Sequence, residues 1–277
     1  RWAEDELGQP PCAYAWLVVG SEGRREQTLQ TDQDHALVWA DGHPDAAPWF
    51  ERLAARVVAD LEAAGFPRCP GDTMATRWKG PLATWLGHFK GWLQEPTPEA
   101  LLAAATFFDF RQVHGALDLA PLEALVVDAP RHELFLRCLA KAALEHRPRT
   151  GLLLRLRGDA ARVDLKREGL GPIVMLARCH ALEVGSAARG TLERLAAAER
   201  AGLIDRDTST SMAESFAFLT RLRLREQLRR MHAGQALENE VVLGQLTPAE
   251  RRALKDALRA IREWQDVAAY HFQTSVV

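Results

Sequence analysis

Tyr14-Ala-Trp-Leu-Val-Val-Gly-Ser-Glu-Gly-Arg-Arg-Glu-Gln-Thr-Leu-Gln-Thr-Asp-Gln-Asp-His-Ala-Leu-Val-Trp39 is the stretch on which the chain turns. It opens with an unbroken apolar run, Tyr14 to Val19, short enough for a buried strand. Gly20-Ser21 ends the run and Gly23 keeps the turn permissive, so backbone N–H groups can face a ligand. Arg24 and Arg25 follow at the expected start of a short helix, a position that suits anions. A second strand is expected over Asp32 to Trp39. Strand side chains alternate, so Asp32 and Asp34 would project from one face, roughly 6.5 Å apart.

Two carboxylates on one face repel each other, and a cation between them removes the repulsion. Hard oxygen ligands select Mg²⁺ or Mn²⁺ over zinc. A divalent cation beside a phosphate-binding turn is the equipment for phosphoryl or nucleotidyl transfer. A solvated hairpin whose aspartates merely end a strand is the plainer alternative, and the upstream Gly-Ser and arginines weigh against it.

Gly-Ser followed about ten residues later by an Asp-x-Asp strand resembles the signature of the nucleotidyltransferase superfamily. The fuller pattern, Gly20-Ser-Glu-Gly-Arg-Arg-Glu-Gln-Thr-Leu-x-Thr-Asp-Gln-Asp34, resembles a narrower bacterial nucleotidyltransferase-like family. Its members usually follow a cyclic-nucleotide-binding domain and paired CBS domains. Their functional relatives are the uridylyltransferases that modify the PII nitrogen-signalling protein. The resemblance implies an NTP substrate, Mg²⁺ or Mn²⁺ as cofactor, and a protein acceptor of the signalling kind. The chain starts at Arg1 without Met and almost at the first strand. A fragment is therefore expected, with sensory domains upstream.

The chain has 277 residues, 47% of them apolar, enough for one large domain or two modest ones with real cores. A formal charge of −2 gives no reason to expect nucleic acid or a membrane surface as partner. Cys12, Cys69, Cys138 and Cys179 lie far apart with no C-x-x-C pair, which argues against a zinc site and fits a reduced cytoplasmic compartment. No signal peptide or apolar run of spanning length occurs.

Helices are expected at Trp49–Ala64, Leu82–Leu93 and from Pro98, the last capped by Thr97. Thr106-Phe-Phe-Asp-Phe-Arg111 reads as a buried strand with one inward carboxylate, Asp109, whose plain role would be a salt bridge, for example to Arg111. In the superfamily a third acidic residue from a later strand completes a triad, and Phe-Phe-Asp-Phe-Arg resembles the family's second motif, so the resemblance assigns Asp109 that place.

From Pro121 the texture changes to long helices without a convincing strand, with a boundary expected near 128. The second domain, 129–277, should hold helices at Glu133–Glu145, Leu165–Val184, Thr191–Ala201 and Thr208–Met231, with a last one starting at a Thr247–Glu250 capping box. Val163-Asp-Leu-Lys-Arg-Glu-Gly-Leu-Gly-Pro-Ile173 resembles a Lys-containing, glycine-rich helix start of the PII uridylyltransferases, which makes Lys166 either a phosphate contact across a domain cleft or a surface lysine. The nine histidines show no metal-ligand spacing, and Arg221, Arg223, Arg225, Arg229 and Arg230 read as a solvated face shared with Glu226.

The sequence therefore predicts an α+β nucleotidyltransferase domain over residues 1–128, a mixed sheet with flanking helices, followed by an all-α bundle. By resemblance, Asp32, Asp34 and Asp109 hold the metal ions, Gly20 and Ser21 bind phosphates, and Arg24, with Arg25 the weaker choice, offsets charge on the leaving group. The alternative class is a regulatory module that senses a nucleotide without turnover; a protein-interaction scaffold ranks last.

Overall fold

A computed structural model describes residues 2–148 and 158–276. The chain parts into two compact units, residues 1–27 with 31–126, and residues 28–30 with 127–277.

In the first unit a short helix, α1 (Trp2–Leu7), precedes strand β1 (Tyr14–Val18). A single helical turn, α2 (Gly20–Gly23), leads towards strand β2 (His35–Trp39). Then come α3 (Ala47–Ala63), β3 (Lys79–Pro81), α4 (Leu82–Gln94), α5 (Pro98–Phe107), β4 (Arg111–Gly115) and α6 (Ala120–Val127). The sheet order is β3-β2-β1-β4; β1 runs antiparallel to β2 and β4, and β2 runs parallel to β3, so the sheet is mixed. Pairing Trp16 with Leu37 and Tyr14 with Trp39 puts these four side chains on one face. There they pack against Trp49, Phe50 and Leu53 of α3, with Trp39 and Phe50 stacked at 4.8 Å. Every residue of β1 and β2 is buried, as expected when both faces of a sheet are covered. A second aromatic cluster joins Trp85, Phe89 and Trp92 of α4 to Phe107 of α5 and Phe108, and Trp85 Nε1 donates to the Leu37 carbonyl at 3.2 Å.

Two stretches differ from the sequence reading. Residues 106–111 are not a strand: α5 runs to Phe107, Asp109 lies in the turn after it, and β4 begins only at Arg111. The good helix start at Thr97, whose Oγ1 accepts from Ala100 N, carries the helix into the aromatic run, and tertiary packing of the phenylalanines overrides their strand propensity. Strand β2 begins at His35 rather than Asp32; of the three residues before it, Gln33 forms an isolated bridge with Arg68.

The second unit is helical: α7 (Glu133–Ala143), α8 (Gly171–Glu183), α9 (Thr191–Arg200), α10 (Arg206–His232) and α11 (Pro248–His271). Helix α8 is buried on nearly all sides, with α7, α9 and α11 packed around it. The Thr247–Glu250 capping box forms as the sequence predicts. One small antiparallel ribbon, β5 (Arg162–Asp164) with β6 (Glu240–Val242), was not foreseen; three-residue strands are too short to leave an alternating pattern.

Leu165 to Leu170 is a π-helical turn ahead of α8 rather than its first α turns. Pro172 has no N–H for an ordinary helical bond, and the wider turn accommodates it. Asp164 caps the segment, Oδ1 accepting from Lys166 N and Arg167 N at 2.9 Å each. The arginines of α10 are not a uniformly solvated face. Arg223 is buried with Nε donating to Asn239 Oδ1, and Glu226 is buried between Arg229 and Arg230.

Candidate active site

The Gly-Ser turn and the aspartates meet through strand register. Val19 N donates to the Asp34 carbonyl at 3.0 Å, one step beyond the β1–β2 ladder, so Asp34 lies directly across from the turn. Gly20 has φ +55°, and a Cβ there would come 3.4 Å from Asp34 Oδ2. A bare Cα at this point leaves the carboxylate face of the turn open.

The single turn α2 ends ahead of the arginines, contrary to the helix expected to begin with them. Arg25 N donates to Glu22 O and Glu26 N to Ser21 O, closing a Schellman-type stop with Arg25 in the left-handed region at φ +59°. Arg25 is exposed. Arg24 instead turns inward: Nη1 bonds Asp109 Oδ2 at 2.5 Å and Nε bonds Glu26 Oε2 at 2.7 Å. Burial alone would favour neutral Arg24, but the two carboxylates outweigh it and raise its pKa. Asp109 is wholly buried and ion-paired with Arg24. Arg111 Nη2 donates to the Glu22 carbonyl at 3.0 Å.

Asp32 and Asp34 are brought together, and with them comes Cys69, an oxygen of each aspartate and the thiol sulfur lying within 4.8 Å of one another. Asp109 is outside that group. Cys69 escaped the sequence reading because it sits on a loop 35 residues beyond Asp34 with no local motif around it. Its thiol pKa is raised, first by burial and also by Asp34, and a soft sulfur suits a hard cation poorly. The two carboxylates by themselves fit Mg²⁺ or Mn²⁺. Glu22 adds a third acidic group nearby; burial raises its pKa, Arg111 opposes this, and Asp34 raises it further.

The residues between and after the aspartates hold them outward. Gln33 Nε2 donates to Phe66 O at 2.8 Å and Val58 O at 3.2 Å, and its Oε1 faces His35 Nε2 at 3.2 Å. His35 Nδ1 in turn accepts from Ala75 N at 3.0 Å. With Nδ1 accepting, the proton belongs on Nε2, which donates to Gln33. Burial lowers the His35 pKa to about 4. The unfolded chain, near 6.5, then binds the extra proton first as pH falls. In metal-free protein the unfolding free energy should decline by about 3 kcal/mol between pH 6.5 and 4, since each pK unit is worth about 1.4 kcal/mol. His35→Gln should flatten that part of the profile in denaturant titrations; an unchanged slope would show that other groups produce it.

Beside Asp32 and Glu22 opens a cavity of about 500 Å³ walled by Trp16, His35, Leu53 and Phe66. Lys166 belongs to the second unit, exposed on the π-helical turn. No described helix is long and apolar enough to cross a membrane.

Two family models match the chain. The one described as "Putative nucleotidyltransferase DUF294" covers residues 1–99, and the one described as "Putative nucleotidyltransferase substrate binding domain" covers residues 133–272. A search of curated proteins finds no match.

Proposed function

The chain belongs to the family described as "Putative nucleotidyltransferase substrate binding domain", whose model matches half of it, and from that premise we propose that it transfers a nucleoside monophosphate from an NTP to a hydroxyl. The acceptor oxygen attacks the α-phosphorus, the α–β bridging P–O bond breaks, pyrophosphate leaves, and the hydroxyl proton passes to solvent. The observation that carries this reading is the bare Gly20 turn set against the Asp34 carboxylate, with Asp32 beside it.

In this reading Asp32 and Asp34 hold Mg²⁺ or Mn²⁺, which when bound neutralises the triphosphate and acidifies the attacking hydroxyl. Gly20 offers its N–H and Ser21 its hydroxyl to the phosphates. Arg24 and Asp109 neutralise each other in the structure. An arginine drawn to the leaving group would release Asp109 as a further carboxylate for the cation, which joins both residues to the site by one exchange of charge. Arg25 is a weaker phosphate contact. The second family model names a substrate-binding domain, so we assign acceptor or nucleotide recognition to the helical unit. We further infer a cytoplasmic, uridylyltransferase-like signalling role with a protein acceptor and upstream sensory domains.

Each NTP is to be tested with Mg²⁺ and Mn²⁺ for pyrophosphate release, followed by mass analysis of labelled proteins. Lys166, proposed as a phosphate contact on its sequence pattern, is tested separately. Lys166→Ala should weaken NTP binding by about 1.5–3 kcal/mol in calorimetric titration, the worth of one charge-assisted contact. Equal affinities would make it a surface lysine.

The second reading, a nucleotide sensor without turnover, is favoured by one observation, the Arg24–Asp109 pair lying outside the Asp32–Asp34 group. NTP binding with no pyrophosphate release from any of the four nucleotides would select it.

A further inference from the structure

Helices α8 and α11 end at one place with metal-binding chemistry that the nucleotidyl-transfer reading does not use. His180 and Glu183, one helical turn apart on α8, share a face, and His271 closes α11. A ring nitrogen of each histidine and an oxygen of Glu183 all lie within 4.8 Å of one another. His271 Nε2 is 2.7 Å from Glu183 Oε1, and His180 Nδ1 is 3.5 Å from Glu183 Oε2.

His180 is the informative member. It is 2% exposed, and neither ring nitrogen has a hydrogen-bond partner among the described residues. A buried imidazole that meets its neighbouring carboxylate only at 3.5 Å is poorly satisfied, and such groups are rare unless something completes them. Its ring lies parallel to Trp264 at 5.8 Å and beside Phe272 at 5.0 Å, so aromatic rings cover it. Both Glu183 and His271 are the last residues of their helices, where the unpaired carbonyl ends favour positive charge.

We propose that His180, Glu183 and His271 bind a zinc-class divalent cation, His180 through Nδ1 and His271 through Nε2. Two imidazoles and one carboxylate are a zinc ligand set that leaves a fourth position for water or an outside ligand. His271 is exposed, which gives the ion a route in. The donor set separates this site from Asp32 and Asp34: imidazole prefers Zn²⁺ or Co²⁺, whereas paired carboxylates suit Mg²⁺. A bound ion would pin the end of α11 to the buried helix α8.

The test uses the full chain, stripped with chelator and titrated with Co²⁺ while the visible d–d absorption is followed. One equivalent of absorbing Co²⁺ should bind, be displaced by Zn²⁺, and resist excess Mg²⁺. His271→Ala, at an exposed position whose folding is checked by circular dichroism, should weaken binding at least about tenfold, since even residues that only orient a ligand cost that much. Glu183→Gln should weaken it as well, and Asp34→Asn should leave it unchanged. Absence of the absorption, equal binding by wild type and His271→Ala, or loss of binding in Asp34→Asn instead would each overturn the proposal.

Discussion

Asp34→Asn should reduce pyrophosphate release by at least about 10³-fold, the equivalent of roughly 4 kcal/mol in the barrier. The substitution keeps the shape of the side chain and removes one of the two carboxylates that face the Gly20 turn. It leaves the backbone tie intact, because Val19 N bonds the Asp34 main-chain carbonyl rather than the side chain. In chelator the variant should be as stable as the wild type or more so, since Asp34 sits with Asp32 and also destabilises the charge on Glu22. A thermal melt without metal therefore separates the two roles. Retained turnover would remove the carboxylate pair from the reaction, and a large loss of metal-free stability would make Asp34 a structural residue.

The second large effect concerns a residue with no chemistry of its own. Gly23 is buried, and a Cβ built there would lie 2.0 Å from the Asp109 carbonyl oxygen and 3.2 Å from that of Val18. Both obstacles are backbone, so no rotamer change can relieve them. Gly23→Ala should cost about 3 kcal/mol or more, the upper range for overpacking, and lower Tm by roughly 10 °C. The displacement would open the approach of Arg24 to Asp109 as well, so NTP binding should fall with stability. A melt matching wild type would mean that the turn yields more easily than its contacts imply.

The parts of this architecture visible in the sequence are those written in local pattern. The apolar run of β1, the Thr97 and Thr247 caps and the helices of the second unit follow from periodicity and end signals within a few residues. What the sequence hides is set by distant partners. Arg24 and Asp109 are 85 residues apart, and nothing near either one names the other. Cys69 reaches the aspartates from an irregular loop. His180 and His271 come together only because two helices end at one point. The Thr106–Arg111 reading failed for the complementary reason: aromatic residues favour strands on average, but here they close a helix onto another cluster of rings.

The Gln33–His35 bracket also supplies a reporter. One ring nitrogen of His35 accepts from Ala75 and the other meets Gln33, whose amide lies between the two aspartates in the chain. An acceptor and a donor nitrogen in the same imidazole have well-separated ¹⁵N resonances, so in a spectrum of the nine labelled histidines the His35 pair would be identified as the two lines lost in His35→Gln. Their movement on adding Mg²⁺ or nucleotide would register events at the carboxylates from the wall of the cavity beside them.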